Sequence, residues 1–381
     1  MNGHLLRNQE VRTPERQYWL DFARVIAIIS ITFNHAMSRS FLTHSDTLVE
    51  FQEMSIIGSF MKAFLYVLSR LGVPLFLMIS GSLLIKRDYE NKMIVSRFIK
   101  HNWWPLLRTT LIWLTIMYVY LSFARSSYLR SEGVVSGLLH YVLTILFFNH
   151  STMVTMASMW YMPMILCVYL MIPIIGLAVK KIGNAYMLAL CSFVAFGSML
   201  IPNINTILET LNIEYSLNLE LSYTDIFSMY LVYVLVGYWI SQEKLKSLSY
   251  PIIIGGLSLG LLGTTFFQFW IYSTNSDYYV RYADVGILIS SVFLFELIRR
   301  IADSMKQGKK TIEYISSISF GIYFVHICIM EGMNIFLDRM SNITGFASFA
   351  VLECSSFILS VVVIYLLSKS KLLKQYLFLI K

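Results

Sequence analysis

Long apolar runs, each about the length of a membrane span, alternate along this chain with short polar segments. A helix needs about 20 apolar residues to cross the hydrocarbon core of a bilayer. The predicted spans cover residues 18–38, 63–85, 101–124, 158–179, 184–202, 223–241, 249–272, 282–298, 312–334 and 345–368. The pattern therefore predicts an all-α integral membrane protein, a bundle of about ten transmembrane helices.

The segments between these runs are too short to hold a separate folded domain. We predict a cytoplasmic N-terminal segment over 1–17, a transmembrane domain over 18–368 and a cytoplasmic C-terminal tail over 369–381. The first run carries Asp21 and Arg24 and lacks a small-residue cleavage site, so it does not resemble a cleavable signal peptide. The short apolar stretch 133–148 is predicted to lie along the outer surface or to re-enter the membrane.

Lysine and arginine set the predicted orientation, because cytoplasmic loops of membrane proteins carry an excess of both. With the N-terminus in the cytoplasm, 21 of the 30 basic residues fall in cytoplasmic segments and six on the opposite side. This distribution predicts that both termini are cytoplasmic, and it favours an even number of spans.

Composition supports the membrane class and excludes others. The chain is 57% hydrophobic and 14% charged, against about 45–50% and 25% in soluble domains. Its net charge of +8 is dispersed at the ends of apolar runs, which indicates contact with membrane lipids rather than nucleic acid. The four cysteines form no CxxC pair, so no metal site is predicted. No P-loop, GxSxG or HExxH motif is present.

Ionisable side chains at membrane depth are costly and mark functional sites by default. The first predicted span carries Asp21, Arg24 and His35. Arg24 and His35 are eleven residues apart, and eleven steps of about 100° end about 20° beyond three full turns. Both side chains therefore leave one helix face, about 16 Å apart along the axis. Asp21 lies one turn before Arg24 and is expected to pair with it.

Two interpretations of this face remain open. In the first, Arg24 extends to the inner interface with Asp21 as its counter-ion, and His35 is a hydrogen-bonded structural residue. In the second, Arg24 binds an anionic group of a long ligand and His35 transfers protons at the far end. An imidazole suits that role because its ordinary pKa of about 6.5 lets it accept and return a proton near neutral pH.

Cations also open the third predicted span. Arg97 and Lys100 lie one turn apart on one face, and Arg108 lies deeper. Basic residues are common anchors at the membrane interface. The alternative is a phosphate-binding site at the cytoplasmic mouth, since cations bind phosphate through charge-assisted hydrogen bonds.

Aromatic and histidine residues mark two later spans. Trp160 and Tyr161 open the fourth span, where aromatic side chains usually form an interfacial belt. His326 lies near the middle of the ninth span, with Tyr323 one turn away. A buried histidine bonded to a carbonyl group is the structural interpretation of His326, and a ligand contact is the functional one. Glu353 in the tenth span has no evident partner along the sequence.

Several motifs, in order along the chain, resemble those of the membrane acyltransferase-3 family of integral membrane O-acyltransferases. They are Leu20-Asp21-Phe22-Ala23-Arg24 with the interval to His35, Gly72-Val73-Pro74-Leu75-Phe76-Leu77-Met78-Ile79-Ser80-Gly81, Arg97-Phe98-Ile99-Lys100 before Pro105, Trp160-Tyr161 with Tyr169 and Pro173, and Ser319 to His326. Each motif alone is weak, but together they cover nearly the whole chain and are specific. The chain is similar to the stand-alone class, which lacks a fused hydrolase-like domain.

Two departures from the family pattern are visible. The family often has His-Leu-Trp-Tyr where this chain has Ser158-Met159-Trp160-Tyr161, so no histidine is assigned there. The family often has another arginine where this chain has His101-Asn102-Trp103-Trp104. The donor site that the resemblance implies therefore differs here in its cations.

The resemblance implies transfer of an acyl group, most often acetyl, from cytoplasmic acyl-CoA to a sugar hydroxyl of a bacterial surface polysaccharide such as O-antigen, or of its lipid-linked precursor. His35 would act as the general base, and the alternative is that it serves as a transient acyl carrier. Substrate- or donor-binding roles are assigned to Asp21, Arg24, Arg97, Lys100, Arg108, Trp160, Tyr161, Tyr323 and His326. Acetyl-CoA would be a donor substrate and not a resident cofactor. The expected location is the bacterial inner membrane, with multiple spans.

Two other classes of function fit parts of the pattern. A transporter that exports a glycan or an acyl intermediate would also have about ten spans and intramembrane charge. Against it, the two halves of the chain show no matching pair of spans broken by glycine or proline. A structural subunit without a ligand is the third hypothesis, and specific binding of coenzyme A would exclude it.

Overall fold

The computed structural model describes residues 16–41, 47–124, 142, 159–213, 215–217, 227–274, 278–302, 305, 308–339 and 343–380. Over these ranges the regular structure is helical, without strands. The helices are α1 Tyr18–Ser40, α2 Thr47–Glu53, α3 Ile56–Ser69, α4 Gly72–Leu84, α5 Lys92–Phe98, α6 Trp104–Ala124, α7 Tyr161–Ile182, α8 Asn184–Ala195, α9 Ile201–Thr210, α10 Phe227–Ser241, α11 Tyr250–Tyr272, α12 Val285–Ala302, α13 Lys309–Asp338, α14 Gly345–Leu367 and α15 Lys371–Leu377. The predicted surface segment 133–148 lies outside the described residues, apart from residue 142.

Seven of the ten predicted spans are, in the described part of the chain, helical stretches long and apolar enough to cross a bilayer. They are α1, α3 with α4, α7, α8 with α9, α11, α13 and α14. The other three predicted spans coincide with α6, α10 and α12. Helix α10 has 15 residues, and α12 carries Glu296, Arg299 and Arg300. The all-helical architecture is confirmed, while the count of ten spans and the cytoplasmic termini stay predictions.

Contacts between helix ends divide the bundle into two sides. On one side, Lys180 at the end of α7 pairs with Asp88 at 2.7 Å and Glu90 at 2.5 Å, both after α4. On the other side, Arg39 near the end of α1 pairs with Glu331 near the end of α13 at 2.6 Å. If successive spans cross the membrane in opposite directions, the ends of α4 and α7 lie on one side and the ends of α1 and α13 lie on the other, as these contacts require. The first side is called inner and the second outer below.

Helices α4 and α10 cross in direct backbone contact because each has glycine at the crossing. A Cβ atom on Gly81 would lie 1.8 Å from the carbonyl oxygen of Val234, and one on Gly237 would lie 2.2 Å from that of Met78. Ser82 donates a hydrogen bond of 2.8 Å to the Gly237 carbonyl across the same crossing. Small residues allow this close approach of membrane helices, which fixes the position of α4.

The second predicted span is broken near its middle, where α3 ends at Ser69 and α4 begins at Gly72. A break in a membrane helix leaves carbonyl groups that need other donors. The hydroxyl of Ser30 on α1 supplies one, donating to the carbonyls of Leu68 at 2.9 Å and Ser69 at 3.1 Å. The break is therefore held against α1, and Arg70 lies within it.

The predicted tail 369–381 contains a short helix, α15, that packs on α6. Thr109 donates to the carbonyl of Tyr376 at 2.8 Å, and the Trp113 indole donates to the carbonyl of Leu377 at 2.9 Å. Phe378 is 1% exposed. This end of the chain is therefore joined to the bundle.

Candidate active site

Helices α1 and α13 lie side by side and carry most of the predicted site. The Arg24 guanidinium donates to the Ser316 hydroxyl of α13 at 3.5 Å. The ring of His35 lies 5.3 Å from the ring of His326 on α13, measured between centroids. Both predicted side chains of α1 therefore contact the same neighbouring helix, as their eleven-residue spacing requires.

Four residues form the inner polar cluster: Arg16, Asp21, Arg24 and Ser316. The carboxylate of Asp21 is the centre of this cluster and is almost fully buried, at 2% exposure. It accepts hydrogen bonds from Arg16 at 2.6 Å, from Arg24 at 3.1 Å and from Ser316 at 2.6 Å. The predicted pair of Asp21 with Arg24 is confirmed. The Arg24 side chain remains 28% exposed, so part of its guanidinium is open to another anion.

Six aromatic side chains form the outer ring cluster: His35, Trp160, Tyr161, Tyr282, Tyr323 and His326. Each ring contacts the next. The centroid distances are 5.3 Å for His35–His326, 6.3 Å for His326–Tyr323, 5.7 Å for Tyr323–Tyr161, 6.2 Å for Tyr161–Trp160 and 5.6 Å for Trp160–Tyr282. Five of the six were predicted from sequence. Tyr282 was missed because it belongs to no motif: it is the first residue of the predicted span 282–298 and lies just before α12 in the structure.

The hydrogen bonding of His326 determines which of its nitrogens carries the proton. Its Nδ1 lies 2.9 Å from the carbonyl oxygen of Ile322. A carbonyl only accepts, so Nδ1 is the donor and Nε2 of the neutral ring carries the lone pair. The His326 side chain is fully buried, and Nε2 has no hydrogen-bond partner. The hydrogen bond to a carbonyl, expected for a structural histidine, therefore accounts for Nδ1 of His326. It leaves Nε2, a hydrogen-bond acceptor, without a partner among the described residues.

Two arginine residues lie near His35. Arg39, one turn further along α1, donates to the backbone carbonyl of His35 at 3.4 Å. Arg70 lies at the break in the second span, directly after Ser69. Ser69, which precedes Arg70, donates a hydrogen bond of 3.2 Å to Asn34, which precedes His35. The break therefore lies at the level of His35.

Apolar packing separates the inner polar cluster from the outer ring cluster. Ile28 and Ile31 lie on the face of α1 between Arg24 and His35, and they are 0% and 6% exposed. The interval between the two clusters is about 16 Å along the helix axis. A long ligand that contacts both Arg24 and His35 would therefore have to pass these two buried isoleucine side chains.

The cations of the third predicted span are not joined to Arg24 by any contact among the described residues. Arg97 and Lys100 are exposed at the inner side, and Lys100 lies in a π-helical turn, Ile99–Trp103. The guanidinium of Arg108 stacks 4.0 Å above the ring of Tyr376. Their assignment to donor binding stays a prediction.

Glu353, without a partner along the sequence, has one in the fold. Thr32 of α1 donates to Glu353 Oε1 at 2.7 Å, and Oε2 is buried without a hydrogen-bond partner. Thr32 lies almost one turn before His35, so this contact joins α14 to the helix that carries His35. The two residues are 321 positions apart, which explains why the sequence pattern did not reveal the pair.

The chain is a bundle of apolar helices of membrane length that brings two imidazoles, His35 and His326, together, and ionisable groups at membrane depth mark functional sites by default. A family model described as an acyltransferase domain matches residues 17–369. The chain therefore belongs to the membrane acyltransferase-3 family and is a multi-pass membrane acyltransferase. Comparison with curated proteins and with solved structures gave no match.

Proposed function

We propose that this protein transfers an acyl group, acetyl in the first instance, from cytoplasmic acyl-CoA to a sugar hydroxyl of a bacterial surface polysaccharide such as O-antigen or its lipid-linked precursor. The observation that carries the proposal is the contact of His35 with His326 inside the outer ring cluster. A general base speeds the attack of a hydroxyl on a thioester by accepting its proton, and the imidazole of His35 is placed to serve as that base.

The proposed reaction is one acyl transfer. His35 accepts the proton of the acceptor hydroxyl while the hydroxyl oxygen forms a bond to the thioester carbonyl carbon. The carbon–sulfur bond then breaks, and the leaving thiolate receives the proton from the imidazolium of His35. The lone pair on Nε2 of His326 can accept an N–H from His35, which would hold the other nitrogen of His35 toward the hydroxyl.

We place the phosphates of the donor at the inner side, where Arg24 is partly exposed and Arg97 and Lys100 are exposed. Arginine and lysine bind phosphate through charge-assisted hydrogen bonds. The acyl end of the donor then has to reach His35 past Ile28 and Ile31. The proposal therefore requires these two side chains to be displaced, or the donor arm to pass on their far side.

We place the acceptor sugar at the outer ring cluster. Binding pockets combine aromatic walls with a few polar groups, and Trp160, Tyr161 and Tyr323 supply both through their rings, hydroxyls and indole N–H. With both termini in the cytoplasm, this cluster faces the far side of the bacterial inner membrane, where the chain is proposed to reside.

Acyl transfer by the purified protein tests the proposal. The protein in detergent receives labelled acetyl-CoA and alkali-treated surface polysaccharide, from which the native esters have been removed. We expect label to enter the polysaccharide, and we expect His35→Ala to lower the rate about 10²–10⁴-fold, because general base catalysis contributes about that much. Product formed in detergent, where no compartment exists, would exclude a pure transporter.

The control variant is Ser38→Ala, which removes an exposed hydroxyl on the same helix that donates to the carbonyl of Asn34. It should transfer label at the rate of the unmodified protein. A normal rate for purified His35→Ala would refute the assignment of His35 as the base.

A further inference from the structure

Arg70 occupies an unusual position for a cation. It is the fifteenth of the 29 residues in the apolar stretch Ile56–Leu84, at the break between α3 and α4. An arginine in the middle of a membrane span is costly and is expected to pair with a carboxylate or to serve a ligand. The role of Arg70 therefore depends on its partners.

Two cations nearer the outer side have carboxylate partners. Lys62 pairs with Glu50 at 2.6 Å, and Arg39 pairs with Glu331 at 2.6 Å. Arg70 has no such pair among the described residues. Its guanidinium instead lies 4.6 Å from the ring centroid of Tyr66 and 5.3 Å from that of Tyr282. It also donates to the Tyr66 hydroxyl.

One donor of Arg70 remains unused. Its Nε is buried and has no hydrogen-bond partner. Buried polar groups in proteins are almost always hydrogen-bonded, so an unpaired guanidinium N–H at this depth needs an explanation. Two tyrosine rings stabilise the cation by cation–π contact, but they supply no negative charge. A ligand that brings negative charge would satisfy both needs.

The geometry connects this cation to the proposed base. Arg70 contacts Tyr282, which begins the outer ring cluster, and His35 is at the other end of that cluster. The helices that carry Arg70 and His35 meet again through the bond from Ser69 to Asn34. Contacts therefore lead from Arg70 through the outer ring cluster to His35, and the sequence neighbours of these two residues, Ser69 and Asn34, are hydrogen-bonded to each other.

We propose that Arg70 binds the carbonyl oxygen of the thioester as that oxygen becomes negative during transfer. This inference rests on the proposed function. As the acceptor oxygen bonds to the carbonyl carbon, the carbonyl electron pair moves to its oxygen, and the guanidinium of Arg70 stabilises that charge. The pair returns when the carbon–sulfur bond breaks. Loss of one such donor typically lowers kcat about 10²–10³-fold.

The test uses full-length purified protein with labelled acetyl-CoA and alkali-treated surface polysaccharide. We expect Arg70→Gln to lower kcat about 10²–10³-fold, while coenzyme A raises its melting temperature as much as that of the unmodified protein. We expect Arg70→Lys to be intermediate, since lysine keeps the charge and loses the planar fork of donors. Arg281→Gln is the matched control, because the exposed Arg281 also stacks on a tyrosine ring, 5.3 Å from the centroid of Tyr278.

Chemical rescue separates the proposed role from a structural one. Ethylguanidinium should restore part of the rate of Arg70→Ala and none of that of His35→Ala. Three results would overturn the inference: a normal kcat for Arg70→Gln, loss of the stabilisation by coenzyme A together with the rate, or a raised KM for the polysaccharide at unchanged kcat. If the unmodified protein itself transfers no label, the proposed function fails before Arg70 is tested.

Discussion

The inner polar cluster and the outer ring cluster lie along the same pair of helices, but their polar atoms are satisfied in different ways. Asp21 of the inner cluster accepts from three donors, and both arginines reach it. In and beside the outer cluster, Nε2 of His326 and Nε of Arg70 are buried without a hydrogen-bond partner. A cluster that satisfies itself fixes helices in place, whereas one with unused donors and acceptors has capacity for a ligand.

This difference changes the interpretation of Arg24. From sequence, Arg24 was assigned to an anionic group of the donor, and Asp21 to its orientation. The structure gives Arg24 two partners inside the protein, Asp21 and Ser316. Arg24 therefore joins α1 to α13, and donor binding by its exposed part stays a proposal.

The strongest test of the comparison removes the centre of the inner polar cluster. Asp21→Ala leaves Arg16, Arg24 and Ser316 without their common acceptor. Breaking a fully buried ion pair costs about 3–5 kcal/mol, and the partial exposure of both arginines reduces this to about 2–3 kcal/mol. We expect a clearly lowered melting temperature in detergent, with acyl transfer per folded molecule reduced much less.

The exposed carboxylate of Asp88, which pairs with Lys180, provides the control, and Asp88→Ala should have almost no effect on melting. An Asp21→Ala protein that melts normally but transfers no acyl group would reverse the assignment, making the inner cluster catalytic instead of structural.

The next test concerns His326. Its replacement by asparagine or by glutamine tests the roles of Nδ1 and Nε2 separately. In His326→Asn the amide N–H can still donate to the Ile322 carbonyl, but no acceptor remains at the position of Nε2. In His326→Gln the longer side chain can place an oxygen near that position. We expect kcat to fall about 10–100-fold in His326→Asn, the loss typical when a residue that orients a functional side chain by a hydrogen bond is replaced. The fall should be smaller in His326→Gln.

Both variants should melt within a few degrees of the unmodified protein. Equal loss of rate in the two variants, accompanied by equal loss of stability, would show that His326 only fills space between α13 and α1.

The apolar interval between the clusters allows a smaller test. Ile28→Val removes one methyl group from the packing that closes the face of α1, and it should lower the free energy of unfolding by about 0.5–1.5 kcal/mol. If the donor arm passes this point, acyl transfer per folded molecule should stay the same or rise. The measurement is kcat with labelled acetyl-CoA. A rate as low as that of His35→Ala would mean that tight packing here, and not its opening, supports the reaction.

How well the sequence predicted these regions depended on the range of the interactions. Span limits follow from local hydrophobicity, so the predicted spans 18–38 and 249–272 match Tyr18–Ser40 and Tyr250–Tyr272 closely. The eleven-residue spacing of Arg24 and His35 predicted a shared face for the same reason. Family-like motifs then marked five of the six residues in the outer ring cluster.

Contacts between spans that are far apart in the sequence could not be predicted from the local pattern of residues. Ser316 lies 295 residues from Asp21, and neither residue identifies the other. The sequence did not single out Arg70, because its lack of a carboxylate partner among the described residues is visible only once α3, α4 and the segment before α12 are packed. The burial of Ile28 and Ile31 between Arg24 and His35 was missed for a related reason, because a shared helix face does not reveal what packs against it.

The smallest expected effect concerns Glu90, an exposed carboxylate that pairs with Lys180 and Lys181, whereas Asp21 of the inner polar cluster is buried. Hydrogen bonds from Lys180 and Lys181 lower the pKa of Glu90 from 4.5 to about 2. A lowered pKa means that the pair stabilises the fold above about pH 4.5 and that this contribution is lost as the pH falls toward 2. Glu90→Gln should therefore lower the melting temperature only slightly at pH 7, since exposed pairs contribute little. The difference should shrink below pH 4 and in 1 M salt, which screens exposed charges. A shift at pH 7 as large as that of Asp21→Ala would mean that exposure does not explain the contrast between these carboxylates, and that the loop after α4 anchors the bundle as strongly as the inner cluster does.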